Sequence, residues 1–120
     1  MSSIKRFEDI IAWQKARVLC NDVYKLTNTK SFKSDKDLVW QLRRAAVSIM
    51  AYIAEGFERR GDKQFAYFLD ISLGSIAEVK SHIYISSDLE YINNVTFDEL
   101  ILKIDELSKI TNGLRKYLKS

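Results

Sequence analysis

With 120 residues, no proline and only four glycines, the chain has the size of one domain (1–120) and lacks the residues that build tight turns and barrel corners, which excludes an all-β fold. Hydrophobic residues at 47% and charged residues at 29% describe a chain that folds in water; its longest uncharged stretch, 45–54, is half of the roughly 20 residues a membrane helix needs. A net charge of +3 permits nucleic-acid binding without establishing it, while one cysteine (Cys20) and one histidine (His82) exclude disulfides within the chain, Cys/His zinc sites and redox pairs.

Residues 8–30 carry Trp13, Ala16, Cys20, Val23 and Leu26 at steps of three and four, which predicts an amphipathic helix. Small polar residues and lysines over 28–35 break the pattern into a loop, with Ser34 and Asp37 spaced as a weakened capping box. The second helix, 35–59, repeats Leu38, Leu42, Ala45, Ile49 and Ile53 and stops near Gly61, where Asp62 is placed to cap the next. The third, 62–91, stacks Phe65, Phe68, Leu69, Ser72, Ile76, Val79 and Ile83 on one face. Thr96 and Glu99 then form a capping box, and Phe97, Leu100, Ile104, Leu107, Thr111, Leu114 and Leu118 continue at helical spacing. Four amphipathic helices with short connections predict an all-α fold, an antiparallel up-and-down four-helix bundle.

A bundle helix needs one apolar stripe, and the second and third helices have more. Trp40, Val47, Met50, Ala51 and Ala54 lie across from the Leu38/Ile49 stripe, with Arg43 between Met50 and Ala54. Tyr67, Ile71, Gly74, Glu78, His82, Ile85 and Leu89 follow steps of three and four opposite the Phe65/Ile76 stripe, and Gly74 lets another helix come close. Aligned stripes predict a homo-oligomer with Trp40, Arg43, Val47, Ala51, Tyr67, Ile71, Gly74 and Glu78 at the subunit interface; ordinary exposed apolar surface is the alternative.

Five segments stand in sequence: Phe7-Glu8-Asp9-Ile10-Ile11-Ala12-Trp13-Gln14-Lys15-Ala16, Gln41-Leu42-Arg43-Arg44-Ala45-Ala46-Val47-Ser48-Ile49, Ile53-Ala54-Glu55-Gly56-Phe57, Phe65-Ala66-Tyr67-Phe68-Leu69 and Gly74-Ser75-Ile76-Ala77-Glu78. In order and spacing the chain resembles the four-helix-bundle proteins associated with 23S rRNA intervening sequences, closely through the third helix and by pattern alone in the fourth. The resemblance implies an up-and-down bundle, a ring-like homopentamer and no catalysis. It also implies kinship with the accessory proteins of diversity-generating retroelements, which help a reverse transcriptase and are expected to contact nucleic acid. Met50 and Tyr52 stand where that family usually reads proline and asparagine; without the proline the second helix gains a backbone donor and loses a kink.

Catalytic chemistry finds little support. A di-iron carboxylate centre needs two Glu-x-x-His pairs, and the one histidine has Val79 at the required position. Residues 56–63 superficially resemble a phosphate loop, but no lysine directly follows Gly61 and no strand precedes it. Cys20 falls on an apolar stripe, and Glu55 and Glu58 are ordinary helix glutamates with no cleft implied. The expectation is a protein that is no enzyme and uses no metal or cofactor.

The basic charge is local: residues 1–36 carry eight basic and four acidic side chains, 62–94 two and five. Arg44, Arg59, Arg60 and Lys63 are the candidate nucleic-acid contacts, because guanidinium forks fit phosphate oxygens, while Lys30, Lys33 and Lys36 crowd the first loop. Pairs such as Arg59 with Glu55 offer a purely structural account of the same charges. The resulting reading is a homo-oligomer that binds structured RNA, DNA or a nucleoprotein partner, with a protein-interaction scaffold as the alternative. An N-terminus without the basic-then-apolar order of a signal peptide, and no spanning stretch, lead us to expect a cytoplasmic protein with no membrane partner.

Overall fold

The computed structural model describes residues 4–120; the first three, part of the segment read above for targeting signals, lie outside the described residues. A 3-10 turn, Phe7–Asp9, leads into α1 (Ile11–Thr27), followed by α2 (Lys36–Glu58), α3 (Asp62–Asp88) and α4 (Asn94–Lys119), and the described residues contain no strand. The first predicted helix is therefore divided. Ile10 is extended and buried between the turn and α1, and the Gln14 side chain donates to the Glu8 carbonyl at 2.9 Å, tying the two pieces together.

Side chains that cross between helices show the directions. Ser72 Oγ donates to the Ile49 carbonyl at 2.9 Å, and Gly56 lies against Phe65, so residue numbers fall on α2 as they rise on α3. Between α3 and α4, Lys80 reaches Asp105 at 2.8 Å and Arg115 pairs with Asp70. Between α1 and α4, Lys15 meets Glu106 at 3.2 Å and Lys103 meets Asp22 at 2.7 Å. All three pairs are antiparallel, giving an up-and-down bundle. The molecule measures 45 × 21 × 19 Å, a length matched by the 27 residues of α3 at about 40 Å.

The stripes expected on α2 and α3 are buried throughout; on α4, Leu100, Ile104, Leu107, Thr111 and Leu118 are buried, with Phe97 and Leu114 partly covered. On α1 the buried line is Ala12, Ala16, Leu19, Val23 and Thr27, and Trp13, Cys20 and Leu26 lie half-buried on its flank. Alanine and threonine give weak hydropathic signals, yet small side chains let α1 approach its neighbours closely. Met50, placed on the outer stripe by spacing, packs against the core, and α2 runs unbroken through Met50 and Tyr52.

Helix starts also differ from the expected caps. Asp35, not Ser34, caps α2, its Oδ1 accepting from the Leu38 N–H at 3.2 Å. Asp62 is the first residue of α3 behind extended Gly61, where its charge favours the helix dipole without a capping bond. Asn93 caps α4 by accepting from the Thr96 N–H at 2.8 Å, so Thr96 already lies inside the first turn.

Candidate nucleic-acid interface

The connection between α1 and α2 is a plug, not merely a polar loop. Phe32 is completely buried, its ring centroid 5.1 Å from that of Tyr91. Tyr91 donates its hydroxyl to Asp35 Oδ2 at 2.9 Å, while Ser31 Oγ donates to the Tyr91 carbonyl at 3.1 Å. The hydrogen bond to the Asp35 carboxylate, with desolvation second, holds the Tyr91 phenol above its ordinary pKa. Pinned at Phe32 and capped at Asp35, the loop sets Lys33 and Lys36 at the start of α2.

These lysines, Trp40, Arg43 and Arg44 of α2 and Tyr24 of α1 line an open cleft of about 500 Å³. Arg43 donates its Nε–H to Thr27 Oγ1 at 2.8 Å, and its guanidinium sits 4.6 Å from the centre of the Tyr24 ring. The Thr27 hydroxyl in turn donates to the Val23 carbonyl at 2.7 Å, so α1 positions Arg43 within the chain's own fold. Arg44 lies 5.5 Å from the ring centre of Trp40, whose residue surface is 61% exposed. No carboxylate lines the cleft, and Lys33, Lys36, Arg43 and Arg44 make no ion pair among the described residues. Like charges gathered in this way raise a local positive potential that an incoming anion lowers.

The other candidate phosphate contacts stand at the far end of α2. Arg44 and Arg59 are fifteen positions apart, about 22 Å along the helix, so the four named residues do not form one patch. Arg59 pairs with Glu55 at 3.2 Å and lies 5.1 Å from the ring centre of Phe68, as the structural account of that charge anticipates. Arg60 takes a left-handed backbone (φ 61°) where α2 ends, and it shares a cleft with Asp62. Lys63 is exposed on the first turn of α3. That corner has mixed charge, whereas the charged residues of the Trp40 cleft are all cations, set among Tyr24, Trp40, Val39, Val47 and Ser48. Sequence reasoning noted the loop lysines but missed Tyr24, an aromatic on the exposed side of α1 that spacing alone does not connect to α2.

The outer stripes are open on this chain. Val47, Ala51, Tyr67, Ile85 and Leu89 are exposed, Ile71 and Glu78 are half-buried, and a Cβ placed on Gly74 would meet nothing within 4 Å. His82 is mostly buried; neither ring nitrogen has a hydrogen-bond partner among the described residues, and Nε2 is 3.6 Å from Glu78 Oε2. Burial raises the Cys20 thiol pKa, which disfavours the thiolate a nucleophile needs. Among the described residues no three His, Cys, Asp or Glu side chains converge to hold a metal ion, and no helix is long and apolar enough to cross a membrane.

Compared with known families, the chain matches the family model described as 23S rRNA-intervening sequence protein over residues 8–113. The matched span contains the cleft, the α2–α3 corner and both outer stripes, and stops within α4. No curated protein matches the chain.

Proposed function

Because the chain belongs to the 23S rRNA-intervening sequence protein family, we propose that it is a non-enzymatic cytoplasmic homo-oligomer, pentameric as the family resemblance implies, that binds structured RNA through phosphate contacts. One observation carries the reading: four cations without ion-pair partners among the described residues line a single cleft whose described lining includes no carboxylate. Arg44 is its central contact, with Arg60, Lys63 and the less available Arg59 forming a second contact at the α2–α3 corner. In a ring each patch repeats around the axis, so individually weak phosphate contacts add through multivalency.

The test is anisotropy of a labelled hairpin RNA across a salt series. Four phosphate contacts lose roughly 50- to 150-fold in affinity when salt rises fourfold, and Arg44→Ala flattens that dependence. Binding that ignores both salt and Arg44→Ala defeats the reading.

A protein-interaction scaffold is the second reading, favoured by the open stripes of α2 and α3. In our proposal these stripes bind other subunits, through Ala51, Tyr67, Ile71, Gly74 and Glu78. Ala51→Asp together with Gly74→Asp then reduces the particle mass by light scattering to that of smaller assemblies; an unchanged mass places the subunit contact elsewhere. A protein retained after nuclease treatment supports the scaffold.

A further inference from the structure

We infer that the Trp40 cleft receives an unpaired nucleotide of an RNA strand, with the base stacked on the indole and the neighbouring phosphates held by Lys36 and Arg44. The inference rests on the RNA-binding reading above and adds that the strand is unpaired where it crosses α2. Lys36, Trp40 and Arg44 are spaced four and four on one helix, which places a cation, an aromatic ring and a second cation in a row about 12 Å long. That alternation complements a nucleotide chain, which presents phosphate, base and phosphate in turn.

The surroundings argue for the same occupant. Trp40 remains 61% exposed while twenty-two other hydrophobic residues among those described form the closed core, so the fold does not need the indole in its interior. Arg44 lies against its ring, Arg43 is anchored by Thr27 against Tyr24, and Lys33 is set by the Phe32 plug. Thus the positive rim is organised by the chain's own packing. A second copy presenting the matching outer stripe of its α2, which carries no carboxylate, would bury these four cations unpaired, at a large desolvation cost. Double-stranded RNA supplies phosphates, but its base faces are stacked inside the helix and cannot reach the indole. A single strand supplies both. Because every base has a π-face, the cleft tolerates any sequence.

The experiment uses Trp13→Phe protein, in which Trp40 is the remaining tryptophan, titrated at low salt with a 12-nucleotide single strand and with a fully paired duplex of the same sequence. The single strand quenches Trp40 emission and the duplex does not. Trp40→Leu weakens single-strand affinity about tenfold or more, Trp40→Phe retains most of it, and duplex affinity changes less than about twofold. If duplex and single strand bind alike and Trp40→Leu affects neither, the inference is overturned while the RNA reading stands. If neither RNA binds, the RNA reading itself has failed. If Trp40→Leu lowers the particle mass by light scattering, Trp40 belongs to a contact between copies and the inference is overturned. Unchanged helical circular dichroism of the variants separates each result from misfolding.

Discussion

Two helical glycines separate the inner and outer faces of the α2–α3 pair. At Gly56 a Cβ would stand 2.6 Å from the Phe68 Cβ and 3.1 Å from Phe65 Cδ1, so α3 approaches α2 as closely as the glycine allows. At Gly74 the same atom meets nothing within 4 Å. Both residues lower intrinsic helix stability, yet only Gly56 is required by packing inside this chain. In sequence the two faces look alike, each an apolar series at steps of three and four. What distinguishes them is that the inner face is closed by Ile49, Ile53, Leu69 and Ile83, all at 0% exposure, while the outer carries Tyr67 at 59%.

The strongest way to break the comparison is truncation on each face. Ile49→Ala, at the level of the Ser72 hydrogen bond, is expected to cost about 2–5 kcal/mol in urea unfolding, whereas Val47→Ala changes monomer stability by less than about 0.5 kcal/mol. Equal losses would mean that the outer face is packed in solution. Next is the glycine pair itself. Gly56→Ala forces the Phe68 contact apart and destabilises by about 1–3 kcal/mol despite better helix propensity, because the clash involves a Cβ close to the backbone and not a flexible side-chain end. Gly74→Ala has the opposite sign, stabilising a free helix by about 0.5–1 kcal/mol. A particle that instead dissociates on Gly74→Ala would show that a second copy uses the missing side chain.

At the ends of the pair, smaller effects sharpen the contrast between covered and open backbone. Arg60→Gly relieves a left-handed residue and is expected to stabilise by about 0.5–1 kcal/mol, read as a rise in thermal midpoint. The opposite end is pH-sensitive. Tyr91 has a raised folded pKa, so its contribution is complete below the ordinary tyrosine range and declines as pH rises through the folded value. Ionised, it would place a phenolate against the Asp35 carboxylate. Tyr91→Phe is therefore expected to reduce the alkaline loss of stability; an unchanged alkaline limb would show that the hydrogen bond is not what titrates.

The candidate cleft was only partly visible in one dimension. Lys33, Lys36 and Arg44 are conspicuous as a basic run and an arginine pair, but Arg59 and Arg60 look equivalent to Arg44 until about 22 Å of helix separates them and Glu55 is found on Arg59. The helical wheel turns Arg43 outward and says nothing of its contacts with Thr27 and Tyr24 of α1, which only the packing of α1 on α2 reveals. Phe32 lay in a segment read as a polar loop, since one aromatic among lysines and serines has no periodicity to report that it is buried.

By itself the sequence determined the helical class, the four segments and the inward stripes of α2, α3 and α4, because those follow from helix periodicity, which is local and repeats every few residues. It also carried the family's order of motifs. Tertiary structure alone decided that Phe32 closes one end, that Asp35 serves both α2 and Tyr91, that Gly56 is a contact while Gly74 is open, and that Tyr24 joins the cations of α2. Each depends on which surfaces the remaining helices cover, and that is a property of three-dimensional packing between residues far apart in the chain.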